Sequence, residues 1–470
     1  VIWSRLAPAL LAPALAACVA TPNLGARPEP KAAGDLAATK TFAAAPTAGW
    51  PAERWWSAYG DAQLDALIAE GIAASPDLKA AEARVRRAQA LVRQAGADRL
   101  PSVAANASIT AVKQSYNNGI PAQFVPRGYQ DTGRATLDLG FDLDLFSRNR
   151  AAFAAARSEA EAARLEGEQA RLLLATSIAA AYADLVQLYR ARDVAATAVE
   201  IREATLRLVS QRVDQGLDTR AELKQADARV PAARAELAAL DETIELTRNR
   251  LAALVGAGPD RGRTIARPAV ATLRRAGLPA NLSLELLGRR PDIIAARERA
   301  TAAARRIDVA RAAFYPNVNL TAFIGMQALG LGNLFDSGSD IGSVGPAISL
   351  PIFQGGRLQG RYAQSRAEYD EAVAGYDATL TAALREVADV AASQKALTVR
   401  LAEARAALAA SEEAQRLTRL RYEGGLSTFL SVLSAEEALL ANRRIVADLE
   451  ARALALDVAL VRALGGGFIA

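Results

Sequence analysis

Residues Arg290 to Phe323 read RPDIIAARERATAAARRIDVARAAFYPNVNLTAF. Pro291 and Asp292 suit a helix start, since proline is tolerated in the first turn and a carboxylate favours the positive end of the helix dipole. The helical run ends at Pro316. Beyond it Val318, Leu320, Ala322 and Ile324 alternate with Asn317, Asn319 and Thr321, the period of a strand. A helix therefore feeds directly into a strand.

The same design stands earlier in the chain. Pro76, Asp77, Arg84 and Pro101 match Pro291, Asp292, Arg299 and Pro316 at one constant offset of about 215 residues, far beyond the period of solenoid repeats. DLFSRNR (Asp144 to Arg150) answers PIFQGGR (Pro351 to Arg357), and RVDQGLDT (Arg212 to Thr219) answers RYEGGLST (Arg421 to Thr428). These landmarks keep their order, so the 470 residues form one structure built from two similar halves.

Composition favours helix over a thick globular core: alanine and arginine dominate and only 5% of residues are aromatic. The net charge of +5 comes from arginines interspersed with acids along helical faces, which reads as solvated surface and not as a nucleic-acid stripe. There is no histidine, and Cys18 is the single cysteine. Ser-His and Cys-His catalysis, histidine metal sites and an internal disulfide are thereby excluded. No catalytic, metal or cofactor-binding residue is expected.

Residues 1–17 follow the pattern of a signal peptide, with a short apolar region after Arg5 that ends at Leu15-Ala16-Ala17-Cys18. That box resembles the lipobox of bacterial lipoproteins, which makes Cys18 the expected lipidation site. Residues 18–54, without periodicity and rich in Pro, Ala and Thr, read as a tether. The first repeat is expected over 55–256, an irregular belt over 257–281, the second repeat over 282–464 and a tail over 465–470.

Strands are expected at about 101–114, 133–146, 316–327 and 343–353. The second shows the pattern best: Ala135, Leu137, Leu139, Phe141, Leu143 and Leu145 alternate with Thr136, Asp138, Gly140, Asp142 and Asp144. In a soluble sandwich the apolar face would meet a core. In an outer-membrane barrel it would meet lipid, leaving the acids to line a watery lumen. Runs of about ten residues suit a tilted membrane strand and favour the barrel. Four strands cannot close one, and an open edge in lipid would leave backbone groups unpaired, so such a chain must oligomerise.

Between Arg150 and Val213 nothing breaks a helix, which gives about 64 residues and roughly 95 Å at 1.5 Å per residue; Arg357 to Tyr422 is its twin. Returning helices are expected from Thr219 to Leu254, kinked at Pro231, and from Ser427 to Leu464. Paired acids such as those of the second strand can do acid and base work in enzymes. Acids on one face of a long strand, however, offer no pocket, and the chain is not expected to be an enzyme.

Taken together, Trp55-Trp56 with Tyr59-Gly60-Asp61, Arg290-Pro291-Asp292, Phe314-Tyr315-Pro316, Pro351-Ile352-Phe353 with Gly355-Gly356-Arg357, and Tyr422 with Gly425, Leu433 and Ala435 resemble the outer-membrane efflux proteins of the TolC/OprM type, closest to the lipoprotein branch serving RND pumps. The resemblance implies a mainly helical protein with membrane β structure: a homotrimer in which each protomer gives four strands to a twelve-stranded outer-membrane β-barrel and its helices to a long α-helical barrel. It implies passive conduction, with a periplasmic adaptor and an inner-membrane RND pump as partners, outer-membrane lipid around the barrel and no nucleic acid. Val19 after Cys18 implies an outer-membrane address, with the body extending into the periplasm. Asp138, Asp142 and Asp144 would face the lumen. Gly216, Leu217, Gly425 and Leu426 would form the adaptor-docking tip. The family's gate aspartates fall at Ser431 and Ser434, so an acid ring is expected instead from Glu222, which matches Ser431 in the first half, or from Glu437. A type I secretion conduit and a structural envelope lipoprotein are the alternatives.

Overall fold

In the computed structural model, residues 21–36, 39–42, 48–270, 277–279 and 282–469 are described. Helix α1 (Ala62–Ala74) starts at Asp61, whose carboxylate accepts the N–H groups of Gln63 and Leu64 and so satisfies donors that the first turn leaves free. Helix α2 (Pro76–Ala97) then leads into strands β1 (Ser102–Val112) and β2 (Gln130–Asp142). Helices α3 (Arg148–Asp214) and α4 (Arg220–Leu254) complete the first half.

The second half repeats that order. Helices α5 (Leu282–Arg289) and α6 (Pro291–Ala312) precede strands β3 (Asn317–Leu329) and β4 (Asp340–Ser349), and helices α7 (Arg357–Glu423) and α8 (Phe429–Ala463) follow. Both α3 and α7 have 67 residues, about 100 Å of helix each, and both α4 and α8 have 35. Helix α4 runs unbroken through Pro231, whose ring lacks the N–H for one interior hydrogen bond.

The chain divides into two compact units. The first holds the described residues up to Pro30, Arg84–Ala163 and Ala295–Tyr376. Its sheet is a four-stranded antiparallel meander in the order β1-β2-β3-β4, with Leu137 opposite both Ala105 and Ile324. Gly325 sits where β3 passes so close to β2 that an added Cβ would lie 2.1 Å from the Ala135 carbonyl oxygen, which excludes any larger residue without a backbone shift. Outside the sheet, Ile307 and Phe314 pack with Leu358 and Tyr362, and Phe146 stacks on Tyr315 at 4.7 Å.

The strand expected at 133–146 runs instead from Gln130 to Asp142, and this removes Asp144 from the sheet. Asp144 has a positive φ of 47° and caps the start of α3: its carboxylate accepts the N–H groups of Asn149 at 2.8 Å and Arg150 at 3.0 Å. Orphan helix N–H groups need an acceptor, and Asp144 supplies it; the residue belongs to the strand-to-helix turn and not to the strand row that carries Asp138.

The second unit comprises Lys31–Ala83, Arg164–Ile294 and Asp377–Ala470. Its main core gathers Trp55, Trp56, Tyr59, Leu64 and Ile68 against Ile178, Tyr182 and Leu185 of α3, Leu251 of α4 and Leu454 and Val458 of α8. The apolar middle of α3 is thus covered by protein, although its length and composition would suit a membrane span. Two polar hubs hold this core in register. Asp61 accepts hydrogen bonds from the Tyr182 hydroxyl at 2.6 Å and the Ala269 N–H at 2.8 Å. Buried Arg290 pairs with Asp292 at 2.6 Å and Glu386 at 2.8 Å while donating to the Ala463 carbonyl at 3.1 Å, which caps the end of α8.

Candidate functional site

Strand parity divides the sheet into two chemically distinct faces. One carries Val103, Ile109, Leu137, Leu139, Leu320, Ala322, Ile324, Val344 and Ile348, brought side by side by the pairings Val103 to Leu139, Leu139 to Ala322, Ala322 to Val344 and Val318 to Ile348. Most of these side chains are exposed, Val344 at 75% and Ile348 at 70%. A contiguous apolar face of this size, left bare in a protomer, is a surface made for lipid or another chain.

The opposite face carries Asn106, Ser108, Thr110, Thr136, Asp138, Asn319, Thr321 and Ser343. Asp138 accepts hydrogen bonds from Asn106 and Thr136, both at 2.8 Å. At the sheet's end Asp142 pairs with Arg148 at 2.9 Å and accepts from Asn149, so it organises the turn into α3. Of the three acids expected in one row, only Asp138 lies in the strand interior.

The turns between α3 and α4 and between α7 and α8 are near copies. In each, glycine takes a left-handed conformation, Gly216 at φ 74° and Gly425 at φ 72°, and the next N–H reaches back: Leu217 donates to the Arg212 carbonyl at 2.8 Å and Leu426 to the Arg421 carbonyl at 2.7 Å. This is the helix-ending motif that glycine makes possible. The leucines stand out from it, Leu217 exposed at 61% and Leu426 at 72%.

The following helices differ in their caps. Thr219 and Glu222 form a full capping box, with the Thr219 N–H donating to Glu222 at 2.7 Å. At the corresponding place Thr428 accepts the Ser431 N–H, and the two hydroxyls are 3.1 Å apart. Ser434 is exposed, while Glu437 forms an ion pair with Arg229 of α4. Glu222 and Glu437 therefore both have partners within the protomer.

Two features of this end were missed by sequence reasoning. Glu436, fully buried, pairs with Arg202 of α3 at 2.7 Å and accepts from Thr205. Burial pushes its carboxyl above the ordinary value of 4.5, against the downward pull of Thr205, Arg202 and, from α7, Arg419. A hint was available: Glu436 falls on the same helical row as Val432, Leu433 and Leu439, which are buried. The second feature joins the two turns. Arg212 pairs with Asp218 at 3.0 Å, donates to the Tyr422 carbonyl at 2.9 Å and lies 4.4 Å over the Tyr422 ring, whose hydroxyl donates to Asp218. Burial, then the Asp218 hydrogen bond, raises the Tyr422 hydroxyl, and Asp218 likewise raises the Arg212 guanidinium, so the cluster keeps its protons through the physiological range.

Cys18 lies outside the described residues. Downstream of it, Arg366 of α7 donates to the carbonyls of Gly25 and Ala26, and Tyr369 to that of Pro28 at 3.0 Å. In the other unit the Lys31 N–H donates to Asp377 at 3.0 Å.

A family model described as outer membrane efflux protein matches residues 67–257 and 282–466. Over 328 residues the chain is 36% identical to the fusaric acid resistance protein FusA of Burkholderia cepacia, a match that spans 68% of this chain and 61% of FusA, less than two thirds of that protein. With the multidrug resistance outer membrane protein MdtP of Escherichia coli (strain K12) it shares 31% identity across 90% of this chain and 88% of MdtP. The crystal structure of the outer membrane protein VceC of Vibrio cholerae superposes with a TM-score of 0.85 at 46% identity, over 89% of this chain and all of that one.

Proposed function

Because the chain belongs to the outer membrane efflux protein family, we propose that it works as the outer-membrane channel of a tripartite efflux system, three copies conducting small compounds passively to the outside. The bare apolar face of the sheet carries this reading. A sheet of four strands has open edges at β1 and β4, and neither lipid nor water-free surroundings tolerate them. Three copies joined edge to edge give twelve strands, with the apolar face toward lipid and the Asn, Ser and Thr face toward the pore.

The rest of the proposed assembly extends this reading. Gly216, Leu217, Gly425 and Leu426 present paired apolar turns to a periplasmic adaptor, behind which an RND pump supplies the energy; the protein itself catalyses nothing. Glu222, Ser431, Ser434 and Glu437 line the narrow end as its gate. Cys18 carries the lipid: seven residues separate it from Gly25, enough to span about 24 Å, and Arg366 lies only nine residues below the first residue of α7. The resistance roles named for FusA and MdtP make small organic toxicants the fitting cargo. Purified protein in planar bilayers tests the whole: it should run as a trimer on light scattering and conduct ions, and a monomer without conductance would overturn the proposal.

A further inference from the structure

Resting on the assignment of the polar sheet face to the pore, we propose that Arg134 and Phe323 form a binding station on the barrel wall for small organic anions with an aromatic body. The face holds three charged side chains in β2: Arg134, Asp138 and Asp142. Asp138 is occupied by Asn106 and Thr136, and Asp142 by Arg148. Arg134, among the described residues, has neither an ion pair nor a hydrogen bond; its guanidinium lies 5.2 Å from the centre of the Phe323 ring.

Phe323 is itself out of keeping with its row. Its neighbours on the same side of β3 are Asn319, Thr321, Gly325 and Gln327, across the strands it faces Asp138 and Ser343, and Ile341 shares that side opposite Gly325. The ring is half-buried, and the guanidinium lies over it. With no protein partner on its N–H donors among the described residues, the guanidinium over the ring can take a carboxylate bidentately. A ligand that fits both must carry an anionic head and a flat apolar body. Register places the pair toward the β1–β2 loop end of the sheet, since Arg134 is four residues into β2 and opposite Ser108. With threefold repetition the pore would carry three such stations at one level.

Benzoate and acetate distinguish the two halves of the station, because both are carboxylates and only one has a ring. In bilayers holding the reconstituted trimer, benzoate added on the extracellular side should reduce the potassium chloride current more effectively than acetate. Arg134→Gln should weaken the action of both anions, by about tenfold for benzoate, the worth of one charge-assisted contact, and should move the reversal potential toward cation preference. Phe323→Leu should weaken benzoate more than acetate, and Arg134→Lys should retain the action of acetate better than that of benzoate. A conducting Arg134→Gln pore with unchanged reversal potential and unchanged benzoate block would overturn the station while leaving the channel standing. Absence of conductance from the unmodified protein would overturn the channel assignment itself.

Discussion

Replacing Glu436 tests how α8 is held against α3 near the turn at Gly425. Its carboxylate has 0% exposure and its partner Arg202 keeps only 10% of its side chain exposed, so Glu436→Ala leaves both the buried guanidinium and the Thr205 hydroxyl without an acceptor that even a protonated Glu436 still supplies. Removing one member of a buried ion pair costs about 3–5 kcal/mol, which is between two and nearly four powers of ten in the local opening equilibrium. Amide hydrogen exchange in the first half of α8, at residues 434–442, should accelerate by that factor while amides of β2 keep their protection. Arg202→Leu combined with Glu436→Leu should recover part of the loss, since no charge is then left unpaired. The pH dependence has a sign that simple ion-pair reasoning gets wrong. Burial raises the folded carboxyl above 4.5, so in the window from 4.5 up to that raised value the folded state binds more protons than the unfolded state. The contribution is fully present below 4.5 and is lost as pH rises through the raised value. Acidification should therefore tighten α8 against α3 in the wild type, after correction for intrinsic exchange rates, and Glu436→Gln should abolish the dependence. Faster corrected exchange on acidification in the wild type, matched by none in Glu436→Gln, would refute the reasoning.

Arg290→Leu should cost about 3 kcal/mol locally, because Glu386 and Asp292 lose their buried cation; exchange at the amides of Leu464 and Gly466 should rise about a hundredfold, and Glu386→Leu in the same chain should restore part of the protection. Leu217→Asp with Leu426→Asp should abolish efflux in a drug-susceptibility assay while leaving a folded trimer, and full efflux in that variant would remove the docking role from these turns. At the gate, Ser434→Asp and Arg229→Gln should both raise cation selectivity in single-channel recordings, the first by adding a carboxylate and the second by releasing Glu437, whereas Glu222→Gln and Glu437→Gln should lower it.

Much of this architecture was legible because it is local. Pro101 and Pro316 mark where a helical period gives way to alternation, and the strands begin one residue later, at Ser102 and Asn317. The two helices of 67 residues were visible as runs without proline or turn clusters. Alternation failed where a polar residue served two purposes. Asp144 keeps the strand period in sequence, yet its oxygens are consumed by the N–H groups that open α3. Phe323 puts an aromatic residue in a largely polar row, where the Arg134 guanidinium lies over its ring. The hubs were out of reach for another reason. Arg290 was singled out as part of a helix start, but its work is done on Glu386 and Ala463, which lie 96 and 173 residues further on. Glu436 meets Arg202 across 234 residues, and neither side chain signals the other.

These long-range pairs change what the acids of the narrow end can do. A ring that attracts cations needs carboxylates free to face the pore, and here each candidate is already engaged: Glu222 by its own helix cap, Glu437 by Arg229, Glu436 by Arg202 and Asp218 by Arg212. Two of these four partnerships join α8 to the first half, Glu437 to Arg229 of α4 and Glu436 to Arg202 of α3, and Arg212 adds the carbonyl of Tyr422 in α7. Charge at this end is thus spent on tying the first half of the chain to the second. Exposed pairs such as Arg229 with Glu437 contribute little each, about 0–1 kcal/mol, while the buried Glu436 pair resists separation far more strongly. In the proposed channel, opening would then have an order: the exposed pair would yield first and bare Glu437, with α8 still held to α3 through Glu436. In the proposed trimer, serine at 431 and 434 would put no fixed acids at those two positions, where three carboxylates would repel one another across the axis. In the proposed channel the closed state would therefore depend on clasps within each protomer, and an adaptor seated on Leu217 and Leu426 would act at the very turns those clasps secure.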